Sequence, residues 1–424
     1  MQSHGHAVCR CTLLIASLLA TEATGQEDIR STPHGERESG PVRFERLDPT
    51  ESGVVFQNRI LEQNRLPYVY SGSGVAVGDY DGDDRPDIYL VCLDGPNKLF
   101  RQTEDLKFVD VTEETGVDGG DAWGWGAVFA DIDGDRDLDL YVANLESPDK
   151  LYRNDGNGKF TECAEAFGLG DDGAGAMPAF ADYDRDGDLD LYLLRNRSFG
   201  MQLIRPLLNR VQLPSEIKKT IDELAPRLPD AQPGSDQIVF DESFRSHLFV
   251  HEGRTFFAGQ PDILYRNDGG RFVDVTEESG IADYGMGLSV TWWDFDDDGW
   301  LDLFVANDLQ WPDQLYRNRG DGTFEDVTAE ALPTVAFFGM GSDFGDIDND
   351  GRFDLVVADM AMRRHFDAKV LMGNMDAQSW FLENGPGPQV MRNNLFLNTG
   401  AGAFLEVANL TKAVKTNWTW ALRF

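Results

Sequence analysis

The chain has 424 residues, and its 74 acidic and 37 basic side chains give a formal net charge of −37 at pH 7. This acidity disfavours nucleic acids and anionic membrane surfaces as partners, because both are bound by clustered Lys and Arg. Hydrophobic residues make up 41% and aromatic residues 11% of the sequence, which is enough to form a large buried core. The composition therefore predicts a folded, acidic protein that does not bind nucleic acid.

Residues 1–25 have the features of a signal peptide. Arg10 precedes a short apolar run over 13–20, and small residues end the segment before Gln26. The run is too short to span a bilayer, and no longer apolar stretch follows, so we expect no transmembrane segment. A buried N-terminal helix is the alternative interpretation. The signal predicts a secreted, extracellular or cell-surface protein, or a periplasmic one in a Gram-negative cell.

Residues 26–43 are polar and charged, and we expect a flexible leader there. Beyond the signal peptide the chain retains two cysteines, Cys92 and Cys163. Two cysteines in so long a chain are not a disulfide framework. We expect them to be small buried hydrophobic residues, with one disulfide bond as the alternative.

Two motifs alternate through the rest of the chain, and the first is an acidic loop of nine residues. Each copy has Asp at positions 1, 3, 5 and 9 and precedes an apolar run. The copies occupy 79–87, 131–139, 182–190, 294–302 and 346–354. Seven residues before each first Asp stands a glycine, namely Gly72, Gly124, Gly175, Gly287 or Gly339. Such a glycine indicates either a turn with positive φ or close backbone packing.

The second motif is an apolar run, a turn of Asn, Asp and Gly, and another apolar run. Its copies begin at Lys98, Lys150, Ile263, Gln314 and Asn394. This order of residue types is typical of a β-hairpin.

The spacing of the motifs predicts the architecture. The first Asp residues of successive loops are 52, 51, 112 and 52 residues apart, which gives a unit of about 51 residues with insertions at about 195–262 and 361–388. A four-stranded unit repeated at this length is typical of a β-propeller, whose copies pack radially because one unit cannot bury its apolar faces alone. A row of separate small domains is the alternative, but no linkers separate the copies. We therefore predict an all-β propeller of four-stranded blades over 44–424, with five motif-bearing blades.

The ends of the repeat region are also informative. Residues 44–50 resemble the end of the second motif, so we expect the chain to enter in the middle of a blade. Residues 417–424 resemble 122–129, the segment that precedes an acidic loop, but the sequence stops before such a loop. We therefore expect a C-terminal truncation within a further blade.

The acidic loops predict calcium sites. Several carboxylates around one point, with a backbone carbonyl at position 7, form the hard oxygen ligand set that Ca²⁺ prefers. An EF-hand is excluded, because position 12 lies in a predicted strand and is not Glu. A solvated acidic turn without metal is the alternative for a single copy, but five copies in register favour up to five Ca²⁺ sites. The glycine at position 6 is replaced by Asp84 and Arg136 in the first two loops, which predicts weaker or distorted sites there.

The predicted metal ligands are Asp79, Asp81, Asp83, Arg85 and Asp87; Asp131, Asp133, Asp135, Asp137 and Asp139; Asp182, Asp184, Asp186, Asp188 and Asp190; Asp294, Asp296, Asp298, Trp300 and Asp302; and Asp346, Asp348, Asp350, Arg352 and Asp354.

The paired motifs resemble the FG-GAP/VCBS repeat family, to which the integrin α-subunit propellers are distant relatives. The combination is most similar to the cartilage acidic protein-like group, which is associated with ASPIC/UnbV segments, and the resemblance covers roughly 44–424. It implies a propeller of seven blades, Ca²⁺ in the loops of successive blades, and an extracellular adhesive or interaction role. The Phe-Gly and Gly-Ala-Pro signatures are degenerate, as at 126–129, which argues against integrin-like ligand binding.

Both insertions would join the second and third strands of their blades, on the face opposite the acidic loops. The larger one contains a predicted helix at 215–224. We expect the insertions to form the surface for a protein or carbohydrate ligand, and passive lids over the channel are the alternative.

Sequence motifs of catalysis are scarce. G-x-S-x-G, G-x-G-x-x-G and H-E-x-x-H are absent, and His247 and His251 lie in a predicted strand. We therefore expect a binding or adhesion module rather than an enzyme. A polysaccharide hydrolase or lyase on a propeller scaffold is the alternative, because a fold does not exclude catalysis.

Overall fold

The computed structural model describes residues 46–60, 73–197, 237–241, 246–251, 254–281, 283–309, 311–364, 388–417 and 419. The predictions for the signal peptide, the leader, the helix at 215–224 and most of 361–388 lie outside these residues.

Five four-stranded antiparallel sheets form most of the described chain, and each has its strands in sequence order. Sheet one contains β1 (Val75–Gly78), β2 (Asp87–Leu90), β3 (Lys98–Glu104) and β4 (Lys107–Asp110), and sheet two contains β5 (Trp123–Ala130), β6 (Asp139–Leu145), β7 (Lys150–Asn154) and β8 (Phe160–Glu162). Sheet three contains β9 (Gly175–Ala181), β10 (Asp190–Arg195), β14 (Ile263–Asn267) and β15 (Phe272–Asp274), between which lie β11 (Gln237–Asp241), β12 (Ser246–His251) and β13 (Arg254–Phe257). Sheet four contains β16 (Met286–Trp293), β17 (Asp302–Asp308), β18 (Gln314–Asn318) and β19 (Phe324–Asp326). Sheet five contains β21 (Gly339–Gly345), β22 (Asp354–Asp359), β24 (Asn394–Asn398) and β25 (Phe404–Glu406), and β20 (Val335–Ala336) pairs with β23 (Gln389–Val390).

The sheets pack one after another through their first strands. β1 contacts β5, β5 contacts β9, β9 contacts β16, and β16 contacts β21. Apolar clusters fill the spaces between neighbouring sheets; in one of them Tyr89 and Leu99 of sheet one pack with Leu140 of sheet two. Because each core is shared by two sheets, the units are blades and not separate domains. The predicted all-β propeller fold is confirmed.

Short helices lie before the first blade and after the fourth strand of each blade. They are α1 (Pro49–Ser52), α2 (Thr112–Thr115), α3 (Ala164–Phe167), α4 (Thr276–Ser279), α5 (Thr328–Ala331) and α6 (Ala408–Thr411). α2 to α6 each follow the fourth strand of a blade. α1 precedes the first sheet and ends at Gly53 with φ 84°, just as α2 ends at Gly116 with φ 76°. After α1, Val54 packs against Ile88 and Phe100 on the face of sheet one that does not contact sheet two.

The two insertions begin and end at the end of the blades opposite the acidic loops. The loops join first and second strands, whereas both insertions join second and third strands, as predicted. The larger insertion contains the three-stranded antiparallel sheet of β11, β12 and β13. The predicted strand around His247 and His251 is therefore confirmed, because both residues belong to β12.

Cys92 is buried and Cys163 is half-buried, and both are free thiols. The alternative of a disulfide bond between them is therefore wrong. Burial raises the pKa of the Cys163 thiol to about 11, so it stays protonated at neutral pH.

The glycines that precede the acidic loops serve close packing between blades. Gly72 lies outside the described residues, and Gly124, Gly175, Gly287 and Gly339 have no positive φ. A Cβ atom on Gly124 would lie 2.3 Å from Cγ1 of Val91 in the preceding blade, and one on Gly287 would lie 2.3 Å from Cδ1 of Leu194. Of the two predicted explanations, close packing is therefore the one that applies.

We expect Gly124→Ala to lower the free energy of unfolding by about 1–3 kcal/mol, because the added methyl group overpacks the contact with Val91. Urea denaturation measures the change. Gly170→Ala is the matched control, since a Cβ there would lie 3.6 Å from Cα of Glu165, which is an ordinary van der Waals distance. Equal stability of the two variants would contradict the packing explanation.

Candidate metal centres

Positions 1, 3 and 9 of every acidic loop converge. In each loop, one carboxylate oxygen from each of these positions lies within 4.8 Å of the other two. The clusters are Asp79, Asp81 and Asp87; Asp131, Asp133 and Asp139; Asp182, Asp184 and Asp190; Asp294, Asp296 and Asp302; and Asp346, Asp348 and Asp354. The structure thus brings together three of the five predicted ligand positions in each loop.

Positions 5 and 7 lie outside these three-carboxylate clusters. The carboxylate at position 5 accepts a hydrogen bond from the backbone N–H at position 7, as between Asp298 Oδ1 and Trp300 N at 2.9 Å. The side chains of Arg85 and Arg352 pair with the position-5 residues Asp83 and Asp350. The assignment of positions 5 and 7 as metal ligands stays a prediction.

The Asp at position 9 is the buried member of each cluster, and two backbone N–H groups fix its carboxylate. Asp302 is 0% exposed. Its Oδ2 accepts from Phe295 N at 2.9 Å, and its Oδ1 accepts from Asn318 N at 2.8 Å. The same two bonds, from loop position 2 and from the third strand, recur in the other four blades. One ligand of each cluster is therefore positioned by the sheet itself.

Burial leaves the charge of this carboxylate poorly compensated. Desolvation raises the pKa to about 7 in three blades and about 6 in a fourth, at Asp87, Asp190, Asp302 and Asp139 respectively. The neighbouring carboxylates of the same loop raise it further. A cation among the three carboxylates would reverse this effect by favouring the charged form.

The loop backbone makes two left-handed turns, at positions 4 and 6. Position 6 has φ 64° at Asp84 and 78° at Arg136, and it is also left-handed at the glycines of the other three loops. The first two loops carry their glycine at position 4 instead, as Gly82 and Gly134, with φ 71° and 76°. Each loop thus has one glycine for two strained positions. The expected distortion of the first two loops is not seen, and their affinity stays a prediction.

Buried carboxylate oxygens without hydrogen-bond partners lie in four of the five clusters. They are Oδ1 of Asp81, Asp131, Asp182 and Asp296. A buried acceptor without a donor is energetically unfavourable, so a bound ligand at these atoms would be stabilising. The carboxylate oxygens of these clusters are hard donors, and they therefore fit a hard cation such as Ca²⁺.

An Asn at the end of the third strand is a functional residue that the sequence analysis missed. Asn318 Nδ2 donates to Leu301 O of its own loop at 3.1 Å and to Tyr183 O of the preceding loop at 2.9 Å. Asn154, Asn267 and Asn398 make the same bonds between blades. The sequence feature that could have indicated this residue is an Asn at the end of the first apolar run of the second motif. It occurs in four copies, and blade one has Gln102 at the same position. This residue connects the acidic loops of successive blades.

Comparison with known proteins agrees with this repeat structure. The family model for the FG-GAP-like repeat matches residues 79–142, 131–193 and 294–357. Cartilage acidic protein 1 of Mus musculus is 27% identical over 293 residues, which cover 63% of this chain and 44% of that protein. The Homo sapiens protein is 26% identical over 311 residues, covering 70% and 38%. The Xenopus tropicalis protein is 29% identical over 167 residues, covering 36% and 25%. The chain thus matches less than half the length of these relatives.

Solved structures show only a distant likeness. An Agrocybe aegerita lectin, described as recognising non-reducing terminal N-acetylglucosamine, is 14% identical with a TM-score of 0.37, covering 79% of this chain and 65% of the lectin. The V. cholerae biofilm matrix protein Bap1 is 15% identical with a TM-score of 0.35, covering 80% and 40%. At these TM-scores neither structure informs the ligands of this chain.

Among the residues that the structure describes, no helix has the length and apolar character needed to cross a bilayer. The motifs, the blades and the sequence matches agree with one another. Three segments of the chain match the FG-GAP-like repeat, and the similarity to cartilage acidic protein 1 that its two motifs indicated is confirmed.

Proposed function

We propose that the protein is an exported Ca²⁺-binding β-propeller that acts as an extracellular or cell-surface binding module. The observation that carries this proposal is the fivefold recurrence of one carboxylate cluster at the same end of successive blades. The signal-like residues 1–25 and the similarity to cartilage acidic proteins support export.

In this proposal the residues at positions 1, 3 and 9 hold the ion, and positions 5 and 7 contribute further oxygens. Ca²⁺ suits such a set better than Mg²⁺, because it accepts about 6–8 oxygens in flexible geometry. The ion neutralises carboxylates that otherwise repel one another. Position 9 belongs to the sheet and positions 1 and 3 to the loop, so the ion ties the loop to the blade.

The ligand surface is proposed to lie at the opposite end, where both insertions emerge. Half-buried aromatic side chains gather there: the ring centroids of Tyr284 and Trp311 are 6.2 Å apart, and His247 lies 5.5 Å from Tyr284. Such rings suit a protein or a carbohydrate. A carbohydrate array tests the binding role, since retention of a glycan without product release supports it and release of a cleaved product contradicts it.

Asp184→Asn is expected to remove one equivalent of Ca²⁺ in calorimetric titration, because Asp184 supplies one of three converging carboxylates in its loop. Asp188→Asn makes the same charge change at position 7 of the same loop, where the proposed ligand is the backbone carbonyl, which the substitution keeps. We expect it to retain the full number of equivalents. Equal stoichiometry in the two variants would contradict the ligand assignment.

A further inference from the structure

Two acidic residues lie against one short segment at the insertion end of blades four and five, far along their strands from the acidic loops. Asp308 ends β17, and Asp359 ends β22. Phe338 connects them, because it is the antiparallel bridge partner of Asp308 and its N–H donates to Asp359 Oδ2 at 3.0 Å. The next residue, Gly339, pairs with Asp359. The two acids therefore flank one short segment of chain from its two sides.

Each acid has one buried oxygen without a hydrogen-bond partner, Oδ1 in both cases. Asp359 is 0% exposed. A third buried acceptor, Oε1 of Gln389, also has no partner, and Gln389 is 6% exposed. The amide of Gln389 reaches the same corner, because its Nε2 donates to the carbonyl of Leu309, the residue after Asp308, at 2.9 Å. Each of these three buried acceptors without a donor is unfavourable unless a positive or hydrogen-donating group lies beside it.

The nearby charges do not balance the pair. Burial raises the pKa of Asp308 and of Asp359 to about 7, and Arg197 and Arg392 respectively oppose that shift. Arg392 is already bound to Glu406 by two hydrogen bonds of 2.7 and 2.8 Å. This leaves Arg197 as the counter-charge for the half-buried Asp308, while the buried Asp359 faces Arg392, whose charge Glu406 already neutralises.

Another buried acid at the insertion end of the blades has hydrogen-bond partners for both of its oxygens. Asp313 is 0% exposed, like Asp359. Both of its oxygens accept hydrogen bonds, from Asn307 N and from Ala336 N, each at 2.9 Å. Backbone N–H groups at this end of the blades can therefore bond to both oxygens of a buried carboxylate. They leave Oδ1 of Asp308 and Oδ1 of Asp359 without a hydrogen bond.

We propose that Asp308 and Asp359, with the side-chain oxygen of Gln389, hold a divalent cation between blades four and five. The ligand atoms are all hard oxygens, which suits Ca²⁺ or Mg²⁺ with water completing the shell. Asp308 and Asp359 come from neighbouring blades, and Gln389 comes from the strand that follows the smaller insertion. The ion would thus fix the base of that insertion to the propeller.

Anomalous diffraction from crystals of the wild-type protein soaked in Mn²⁺ tests this proposal without any substitution. We expect a peak about 2.0–2.6 Å from Oδ1 of both Asp308 and Asp359, in addition to peaks in the acidic loops. Peaks in the loops with none at this pair would overturn the proposal while leaving the loop sites intact. A guanidinium group of Arg197 bonded to both carboxylates would overturn it as well.

The variant carrying Asp308→Asn and Asp359→Asn gives a second test in solution. Calorimetric titration with Ca²⁺ is expected to show one equivalent fewer than in the wild type. Asp313→Asn is the matched control, because it neutralises a buried acid whose oxygens are already bonded, and it should keep every equivalent. An unchanged number of equivalents in the double variant would contradict the site.

Discussion

Excess EDTA is expected to lower the melting temperature of the protein by roughly 10 °C or more. A single site at a hundredfold excess of ligand over Kd contributes about 2.7 kcal/mol, and several sites add to this. A change of 1 kcal/mol shifts the melting temperature of a domain of ~150–250 residues by about 2–4 °C. Without the ion, three carboxylates within 4.8 Å of one another repel in each loop. Differential scanning calorimetry measures the shift.

EDTA saturated beforehand with Ca²⁺ is the control for this experiment, and it should leave the melting curve where it was. Adding Ca²⁺ back to the chelated protein should restore the higher temperature. A melting curve that is the same with and without free EDTA would show that the clusters do not contribute metal-dependent stability.

Asn318→Ala is expected to lower the free energy of unfolding by about 3–5 kcal/mol. The substitution removes the bonds from Nδ2 to the carbonyls of Tyr183 and Leu301 and the bond that Oδ1 accepts from Gly320 N at 2.9 Å. Each buried partner left without a hydrogen bond costs about 1–3 kcal/mol. The loss includes a contact between two blades, so urea denaturation should show a clearly lower midpoint.

Asn157→Ala is the matched control, because Asn157 is exposed and the hydrogen bonds described for it are with Asp155 of its own turn. Its stability should change by less than about 0.5 kcal/mol. If Asn318→Ala were as stable as Asn157→Ala, the Asn at the end of the third strand would not connect the blades.

The fold could be predicted because its unit is short, repeated and marked by two motifs. Asp at fixed positions indicated the clusters, and alternating apolar runs indicated the strands. The role of Asn318 could not be predicted in the same way. Its partner Tyr183 is 135 residues away and contributes a backbone carbonyl, which every residue possesses. A contact of that kind leaves no distinctive residue type in the partner segment.

The different roles of the ligand positions could not be predicted from the sequence, for a related reason. Spacing along the chain cannot separate position 5, which bonds to the loop backbone, from position 9, which the sheet fixes. Asp359 likewise follows an ordinary apolar run. Its unpartnered oxygen becomes visible only when Phe338 and Asp308 are brought beside it.

The strands that the insertions connect were predicted correctly, because antiparallel strands alternate their connections between two faces. Their internal structure was predicted less completely. The apolar run over 248–250 indicated the strand at His247 and His251, but its partners β11 and β13 were not recognised.

Native mass spectrometry of the protein titrated with Ca²⁺ shows directly whether the acidic loops bind metal, because it counts the ions bound to each chain. We expect stepwise mass increases as the five carboxylate clusters fill, with the loop variant Asp184→Asn stopping one ion earlier than Asp188→Asn. A chain whose mass stays that of the metal-free protein throughout the titration would contradict it.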